Sequence, residues 1–384
     1  MPTPQDANFA RGNKITVLCA PDSFKETVNA TEVASAMARG VARADSKINC
    51  QQIPIADGGE GSLDTLVQAV DGVFHKAGVR GPLGEQIQAK FGICPDGLTG
   101  IVELAEASGL SLISQDRRDP TLTTTYGTGQ LIAAATELGC EKIILCIGGS
   151  ATVDCGIGMI QGMGGKFFDK NNNELKSPIT GKQMLNIYSY EPPEFMPKIR
   201  IACDVNNPLL GPNGAAATYG PQKGASPEQV KLLDDALSHI ASLTDADPNM
   251  PGAGAAGGVA FGLSAFCNAS LESGIDLILD ALNFHESCAV ADLVLTGEGC
   301  LDSQSLDGKA SMGVARVAHK LGVPCIAIVG KTGPGADDCL QDAPDGVLES
   351  YYSLEDRYGL DRALNDPANL IEELAVEVIT NWVN

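Results

Sequence analysis

The stretch IILCIGGSATVDCGIGM, residues 143–159, decides the fold that the sequence predicts. A continuous apolar block followed by a glycine-rich turn is typical of a buried parallel strand whose end approaches a ligand. A helix beginning directly after that turn would direct the positive end of its dipole at a bound anion. The pattern therefore predicts a phosphate-binding strand, turn and helix, although a βα turn that binds no ligand has the same pattern.

Composition and charge exclude several classes of protein. The chain has 384 residues, 44% of them hydrophobic and 19% charged, which is typical of a globular protein with a full core. A net charge of −22 argues against nucleic-acid binding. Twelve cysteines without a C-x-x-C pair, beside four histidines, argue against structural zinc and favour a reducing compartment. With no secretory signal and no membrane-spanning run, a cytoplasmic protein is expected.

Strands and helices alternate at both ends of the chain. Strands are predicted at residues 15–20, 48–56, 292–295 and Cys325–Val329, and the closing helix at Pro367–Val383. Between them, alternation over residues 73–104 indicates antiparallel strands. We therefore predict an α/β protein in which a Rossmann-like open-sheet domain, residues 1–70 plus 283–384, is interrupted by an inserted α/β domain, residues 71–282.

Capping residues mark two predicted helix starts. Asn29 with Glu32 three positions later resembles a capping box, and Ser226 followed by Pro227 is a favoured N-cap and first turn.

Two glycine motifs do not support the sites they resemble. PGAGAAGG at residues 251–258 fits G-x-G-x-x-G, but it follows a loop and not the strand that a dinucleotide fingerprint requires. A close-packing glycine turn is predicted instead. The sequence Gly330-Lys331-Thr332 lacks the earlier glycine of a P-loop. The absence of H-E-x-x-H and G-x-S-x-G motifs leaves a histidine metal site and Ser-His-Asp hydrolysis poorly supported.

A carboxylate or hydroxyl recurs in the glycine turns that follow strands. These residues are Asp22, Ser23, Asp57, Glu60, Ser150, Asp154, Asp204, Glu298 and Asp302. Carboxylates around glycine loops suit Mg²⁺ bound between protein and phosphate oxygens. Lys25, Lys223 and Lys309 suit the neutralisation of phosphate or carboxylate charge, with an exposed surface lysine as the alternative for each. Phosphoryl transfer needs this combination of groups.

Nine segments along nearly the whole chain resemble, in the same order, the type I glycerate kinases. They are APDSFKE (20–26), PIADGGEG (54–61), GPLGE (81–85), LTTTYGTG (122–129), IGGSAT (147–152), ACDVNNPLLGPNGA (202–215), YGPQKGAS (219–226), PGAGAAGG (251–258) and LTGEG-x-LDSQ (295–304). This resemblance implies an ATP- and Mg²⁺-dependent kinase that converts D-glycerate to 2-phosphoglycerate. It also implies two α/β domains with the active site in the cleft between them.

On this basis we assign candidate residues as a hypothesis for direct in-line phosphoryl transfer. The catalytic candidates are Lys25, Asp204 and Asp57. The candidates for binding substrate are Asp22, Ser23, Gly58, Gly59, Glu60 and Lys309. The candidates for binding nucleotide are Gly148, Gly149, Ser150, Gly254 and Gly257, and those for binding metal are Glu298 and Asp302. The expected partner is glycerate alone, bound by a monomer or homodimer.

Departures from the family pattern keep alternatives open. Val153 and Cys155 stand where the family usually has Asn and Gly, Cys300 where it often has Arg, and Arg80 where it often has Thr. These differences bear on substrate preference more than on reaction type. The alternatives are a phosphatase, a catalytically silent small-acid binding protein, and 3-phosphoglycerate as the product.

Overall fold

The computed structural model describes residues 14–24, 27–55, 62–307 and 309–383. Its strands are β1 Thr16–Cys19, β2 Asn49–Gln52, β3 Val73–Arg80, β4 Gln86–Ile93, β5 Thr99–Glu103, β6 Lys142–Cys146, β7 Lys166–Phe168, β8 Ser189–Glu191, β9 Lys198–Ala202, β10 Ser270–Glu272, β11 Leu293–Thr296, β12 Cys300–Leu301, β13 Cys325–Val329, β14 Lys331–Thr332 and β15 Ser350–Ser353.

The helices of the described ranges are α1 Ala30–Ala44, α2 Ser62–Ala69, α3 Ala105–Ser108, α4 Tyr126–Glu137, α5 Ile157–Gly162, α6 Ala215–Tyr219, α7 Pro227–Ala241, α8 Ala255–Cys267, α9 Gly274–Ala281, α10 Phe284–Ala289, α11 Ala310–Leu321, α12 Leu354–Tyr358, α13 Leu360–Asn365 and α14 Pro367–Val383. None of these helices combines the length and the apolar character that crossing a bilayer requires.

The chain divides into two compact units with boundaries that differ from those expected. Unit 1 comprises Met1–Asp57 and Ile278–Asn384, and unit 2 comprises Gly58–Leu277. Helix α2, which the sequence analysis placed in the first domain, packs on β4 and β5 of unit 2. Val67 of this helix occupies the space that a Cβ atom on Gly92 of β4 would need. This close approach fixes α2 against the sheet of unit 2.

Unit 1 contains a doubly wound parallel sheet. Its five strands lie in the order β15-β13-β11-β1-β2, and each pair of neighbours is parallel. The chain thus places β2 on one side of β1 and later returns to place β11 on the other side. This reversal is a topological switch point, where loops at the carboxyl ends of the strands separate and leave room for a ligand. It lies between β1 and β11.

Local capping signals explain where two helices begin. The Asn29 side chain accepts a hydrogen bond from the Glu32 backbone N–H at 2.9 Å, which caps α1. In unit 2, the Ser226 side chain accepts from the Gln229 N–H, and the Gln229 side chain accepts from the Ser226 N–H at 2.8 Å. Both predicted helix starts are confirmed, because each cap supplies an acceptor for a backbone donor that lacks a partner within the helix.

Unit 2 contains a six-stranded mixed sheet in the order β10-β9-β6-β5-β4-β3. The pairs β10–β9, β9–β6 and β6–β5 are parallel, whereas the pairs β5–β4 and β4–β3 are antiparallel. The prediction of antiparallel strands in residues 73–104 is confirmed. The parallel strands place the ends of β5, β6 and β9 at one edge, with Glu103, Cys146 and Ala202 in register.

The prediction of a helix directly after the Gly148-Gly149-Ser150 turn is wrong. Strand β6 ends at Cys146, but α5 does not begin until Ile157. The intervening chain cannot be helical, because Gly149, Cys155 and Gly156 have φ angles of 69°, 55° and 67°. The turn therefore gains no support from a helix dipole, and its suitability for an anion must rest on other contacts.

Candidate active site

The loops at the switch point of unit 1 are tied together by hydrogen bonds. The Asp22 N–H donates to the Gly297 carbonyl at 2.8 Å, and the Thr296 hydroxyl donates to the Ala20 carbonyl at 2.9 Å. These contacts hold the loop that follows β1 beside the loop that follows β11. The first loop carries the predicted residues Asp22 and Ser23, and the second leads to Glu298. Unit 1 thus brings two of the predicted strand ends together.

Asp22 is buried and takes part in a tight local turn. Only 5% of its surface is exposed. Its Oδ1 atom accepts from the Ser23 N–H at 2.5 Å and from the Ser23 hydroxyl at 3.2 Å. Ser23 therefore fixes the direction of the Asp22 side chain, and the two predicted substrate-binding residues act as one local group.

Lys309 is the centre of a polar cluster at the start of α11. Its Nζ atom donates to Glu298 Oε2 at 2.8 Å, to the Cys300 carbonyl at 2.8 Å and to Ser305 Oγ at 2.9 Å, with Asp302 Oδ1 at 3.3 Å. Burial by itself lowers the pKa of Lys309, but the bonds and charges of Glu298 and Asp302 outweigh it, and the pKa is raised. Lys309 is therefore a fixed positive charge.

Glu298 and Asp302, predicted as metal ligands, contact this lysine. Glu298 is 3% exposed, and its second oxygen, Oε1, accepts from Ser311 Oγ at 2.6 Å. Both oxygens of Glu298 therefore have donors in the protein. Among the described residues, no group of three or more His, Cys, Asp or Glu side chains is arranged to hold a metal ion. The assignment of Glu298 and Asp302 as metal ligands stays a prediction.

Asp204 lies at the carboxyl edge of the sheet of unit 2. It is exposed and follows β9, next to the loop that follows β6. Its Oδ1 atom accepts from the Gly274 N–H at 2.8 Å, at the first residue of α9, and lies 3.4 Å from Ser273 Oγ. Asp204 thus has a structural contact in addition to the catalytic role expected from the sequence.

Glu103 is a buried carboxylate at the same edge that the sequence analysis did not identify. It ends β5, is 4% exposed, and accepts from the Leu63 N–H at 3.0 Å near the start of α2. The signal available in the sequence was a single acidic residue that closes the apolar strand Gly100–Val102. Glu103 anchors α2, which leads out of the segment that carries Asp57 to Glu60.

The turn at Gly148 and Gly149 has one exposed and one buried side. Both glycines are exposed, and the position of a Cβ atom on Gly148 has no heavy atom within 4 Å. On the buried side, the Gly149 carbonyl accepts from the Leu110 N–H at 2.8 Å, and the Ala151 N–H donates to the Ser108 carbonyl at 2.9 Å. The turn is therefore accessible to a ligand on its exposed side and held by hydrogen bonds on its buried side.

A hydroxyl-rich segment, residues 121–129, supports the chain that follows this turn. The Thr123 hydroxyl donates to the Ala151 carbonyl at 3.0 Å. The Thr125 N–H and hydroxyl donate to Asp154 Oδ2 at 2.7 and 2.8 Å, and the Gly156 N–H donates to Oδ1 at 3.2 Å. Burial raises the pKa of Asp154 in spite of these donors. Thr123 and Thr125 of LTTTYGTG thus hold the loop in place through hydrogen bonds.

Lys223 completes this buried network. Its Nζ atom lies 2.7 Å from both Ser150 Oγ and the Thr152 carbonyl, and the residue is 3% exposed. Burial lowers the pKa of Lys223 to about 7, opposed by the negative charge of Asp154.

Gly254 and Gly257 are required by close packing, as the sequence predicted for this segment. A Cβ atom on Gly254 would overlap the Pro208 carbonyl, and one on Gly257 would overlap the Thr152 carbonyl. The Gly254 N–H is also used, since it donates to the Asn207 carbonyl at 2.9 Å. Close packing against the protein thus explains why both positions are glycine. A direct role of these glycines in nucleotide binding stays a prediction.

The structure distributes the predicted residues over the two units. Unit 1 holds Asp22, Ser23, Glu298, Asp302 and Lys309, and unit 2 holds Gly148, Gly149, Ser150, Asp204, Gly254 and Gly257. The remaining predicted residues lie outside the described ranges; they are Lys25, Asp57, Gly58, Gly59 and Glu60.

Comparison with known proteins identifies the family. The sequence model of the Glycerate kinase family matches residues 17–383. A glycerate 2-kinase of Escherichia coli (strain K12) is 42% identical over 373 residues, covering 94% of this chain and 98% of the relative. A glycerate kinase of Halalkalibacterium halodurans is 41% identical, with 96% and 98% covered.

A solved structure agrees with the sequence relatives. The crystal structure described as glycerate kinase 2 from Salmonella typhimurium LT2 superposes with a TM-score of 0.81 at 37% identity, covering 96% of this chain and 98% of that one. The α/β fold predicted from the sequence is confirmed by this match. The chain belongs to the glycerate kinase family.

Proposed function

We propose that the protein phosphorylates D-glycerate with ATP and releases 2-phosphoglycerate and ADP. Membership of the glycerate kinase family supports the reaction class, and a relative named glycerate 2-kinase supports the position of transfer. The observation that carries the proposal is Lys309, a charged lysine held by Glu298 and Asp302 at the strand ends of unit 1. A fixed cation of this kind suits the carboxylate of glycerate or a transferring phosphoryl group.

The proposed chemistry is a direct in-line displacement. The glycerate hydroxyl attacks the γ-phosphorus, the bond from that phosphorus to the bridging oxygen of ADP breaks, and the hydroxyl proton passes to a carboxylate. Asp204 is our candidate for the proton acceptor, with Asp57 as second candidate. Phosphoryl transfer depends mainly on positioning and on stabilisation of the developing charge. No covalent intermediate with the enzyme is required.

The other candidate residues are assigned to binding. Lys309, Asp22 and Ser23 are proposed to bind substrate, together with Gly58, Gly59 and Glu60. The N–H groups of the exposed Gly148 and Gly149 and of the buried Ser150 are proposed to contact phosphate. Lys25 is proposed as an additional cation. For Gly257 we propose an indirect contribution, because it packs against the backbone of Thr152, which follows the Gly148 turn. Gly254 packs against the backbone of Asn207 and Pro208, in the loop that carries Asp204, and we propose an indirect contribution for it through that loop.

Mg²⁺ is proposed as the companion of the nucleotide, since it neutralises phosphate charge and usually keeps several waters when bound with ATP. Because both Glu298 oxygens already have donors, we assign Glu298 to orienting Lys309. Both Glu298 and Asp302 stay candidate ligands. We propose a cytoplasmic location, because all twelve cysteines are free thiols. A monomer or homodimer remains our proposal for the state in solution.

A coupled assay of ADP release tests the proposal. With ATP, Mg²⁺ and D-glycerate, we expect ADP release that requires glycerate. Absence of ADP with glycerate and with other small hydroxy acids would exclude the kinase. Phosphate release from phosphoglycerate in the same preparation would favour the phosphatase, and glycerate binding without turnover would favour the silent binding protein.

A further inference from the structure

Lys223 is buried, although burial of a lysine ammonium group is energetically unfavourable. It ends a 3₁₀ turn, Pro221–Lys223, and is 3% exposed. Taking an ammonium group out of water is unfavourable unless hydrogen bonds replace the lost solvent. Its two acceptors, Ser150 Oγ and the Thr152 carbonyl, are both at 2.7 Å and both belong to one segment more than 70 positions earlier in the chain.

Within the described residues, the hydrogen bonds of the segment 148–152 lie on its buried side. Hydrogen bonds from Leu110, Thr123 and Lys223, and to Ser108, hold its buried side. On the other side Gly148 and Gly149 are exposed, and within the described chain neither of their N–H groups donates to a protein acceptor. A turn that is held on its buried side and exposes backbone N–H groups to solvent is preorganised for an anion, since binding then requires little rearrangement.

We propose that Lys223 is a positioning residue that holds Ser150 and Thr152 so that the Gly148–Ser150 turn presents its N–H groups to the nucleotide phosphates. This inference rests on the proposed function of the turn. Lys223 does not contact the nucleotide, because its Nζ atom is buried and bonded to the inner side of the turn. Asp154, buried on the same loop, is the charged group that acts on Lys223.

The test replaces Lys223 with methionine, which has a similar length and no donor. Lys223→Met should raise the KM for ATP by about tenfold, a typical effect of losing a supporting contact. The KM for glycerate and kcat should stay within about twofold, because the lost interaction is one of ground-state nucleotide binding. Gln222→Met, an exposed neighbour on the same turn, is the matched control and should leave all three parameters unchanged.

Hydrogen exchange of the unliganded protein supplies a second readout. Lys223→Met should speed exchange in residues 147–156 and leave exchange in α7 and in unit 1 unchanged. An unchanged KM for ATP would overturn the proposal. A lower kcat together with higher KM values for both substrates and faster exchange throughout unit 2 would also overturn it. If the variant does not fold, Ser150→Ala takes its place, because it removes the same bond from the other side and should raise the KM for ATP alone.

The proposed function and this inference fail in different ways. If the unaltered protein releases no ADP with any hydroxy acid, the proposed function fails. Calorimetric titration with ATP then tests whether Lys223 positions the turn for nucleotide binding. Weaker ATP binding by Lys223→Met than by Gln222→Met, with faster exchange in residues 147–156, supports positioning. Equal ATP affinity contradicts it.

Discussion

The ammonium nitrogen of Lys309 lies 2.8 Å from Glu298 Oε2, and Ser311 holds the other oxygen of the same carboxylate at 2.6 Å. Glu298 thus fixes both the position and the charge of a lysine that stands at the start of α11. A carboxylate buried in this way is costly to leave without its cation. Loss of Lys309 should therefore cost stability as well as activity, because Glu298 would be left buried without its cation.

Lys309→Met should lower kcat/KM for glycerate by about 100-fold or more, the size expected when a group that stabilises developing charge is lost. Initial rates of ADP release measure the effect, and circular dichroism checks the fold. Lys320→Met is the matched control, since Lys320 lies exposed at the end of the same helix. Equal rates for both variants would remove Lys309 from the site.

Two substitutions of Asp204 distinguish its hydrogen bond to Gly274 from its proposed role as proton acceptor. Asp204→Asn keeps an oxygen to accept from the Gly274 N–H, so the free energy of unfolding should change by less than about 0.5 kcal/mol. The same variant loses the charge that accepts a proton, and kcat should fall by about 100-fold or more. Asp204→Ala should in addition lose about 1 kcal/mol of stability with the cap. Normal turnover by Asp204→Asn would reduce Asp204 to a capping residue.

The stability of the protein should depend on pH through Lys223. Burial lowers its pKa from 10.5 to about 7, so between these values the unfolded chain binds a proton that the folded protein does not. The free energy of unfolding should therefore rise with pH across this window, by up to about 1.4 kcal/mol per unit. Below the window both states are protonated, and the contribution is constant.

Urea unfolding at several pH values measures this effect. The difference between the unaltered protein and Lys223→Met should grow from pH 7 towards pH 10, whereas Gln222→Met should follow the unaltered protein. A difference that does not change with pH would mean that Lys223 is not held in a buried environment.

Cys155 occupies a backbone conformation that glycine adopts more easily. Its φ angle is 55°, and its side chain is fully buried. Cys155→Gly and Cys155→Ala both lose the thiol, but only glycine is released from the strain. Cys155→Gly should therefore be more stable than Cys155→Ala by about 1 kcal/mol in urea unfolding. At Cys288, within α10, the order should be reversed, because glycine weakens a helix.

Much of the fold was predictable because its signals are local. The bounds of β13, Cys325–Val329, and of α14, Pro367–Val383, agree with the apolar patterns that predicted them. The starts of α1 and α7 follow from the capping residues Asn29 and Ser226. Each of these predictions depends on residues within one element, and such short-range preferences are readable from sequence.

The site was less predictable because its contacts join distant parts of the chain. Lys223 was a candidate cation because it lies in the segment Gly-Pro-Gln-Lys-Gly, but no local signal showed that it would be buried against Ser150. In the same way, the sequence did not show that Lys309 contacts Glu298, whose assignment as a metal ligand stays a prediction. The prediction of a helix after Gly149 was wrong for a related reason, because long-range hydrogen bonds from Leu110 and Thr125 hold the loop in a non-helical conformation.

The product of the reaction shows whether the protein transfers phosphate to the 2-hydroxyl of D-glycerate. Phosphorus and proton NMR of a reaction that contains the protein, ATP, Mg²⁺ and D-glycerate identify the phosphate ester and its position. We expect 2-phosphoglycerate, formed together with an equal amount of ADP. Formation of 3-phosphoglycerate would contradict the assigned position of transfer, and absence of any glycerate phosphate would contradict the proposed function itself.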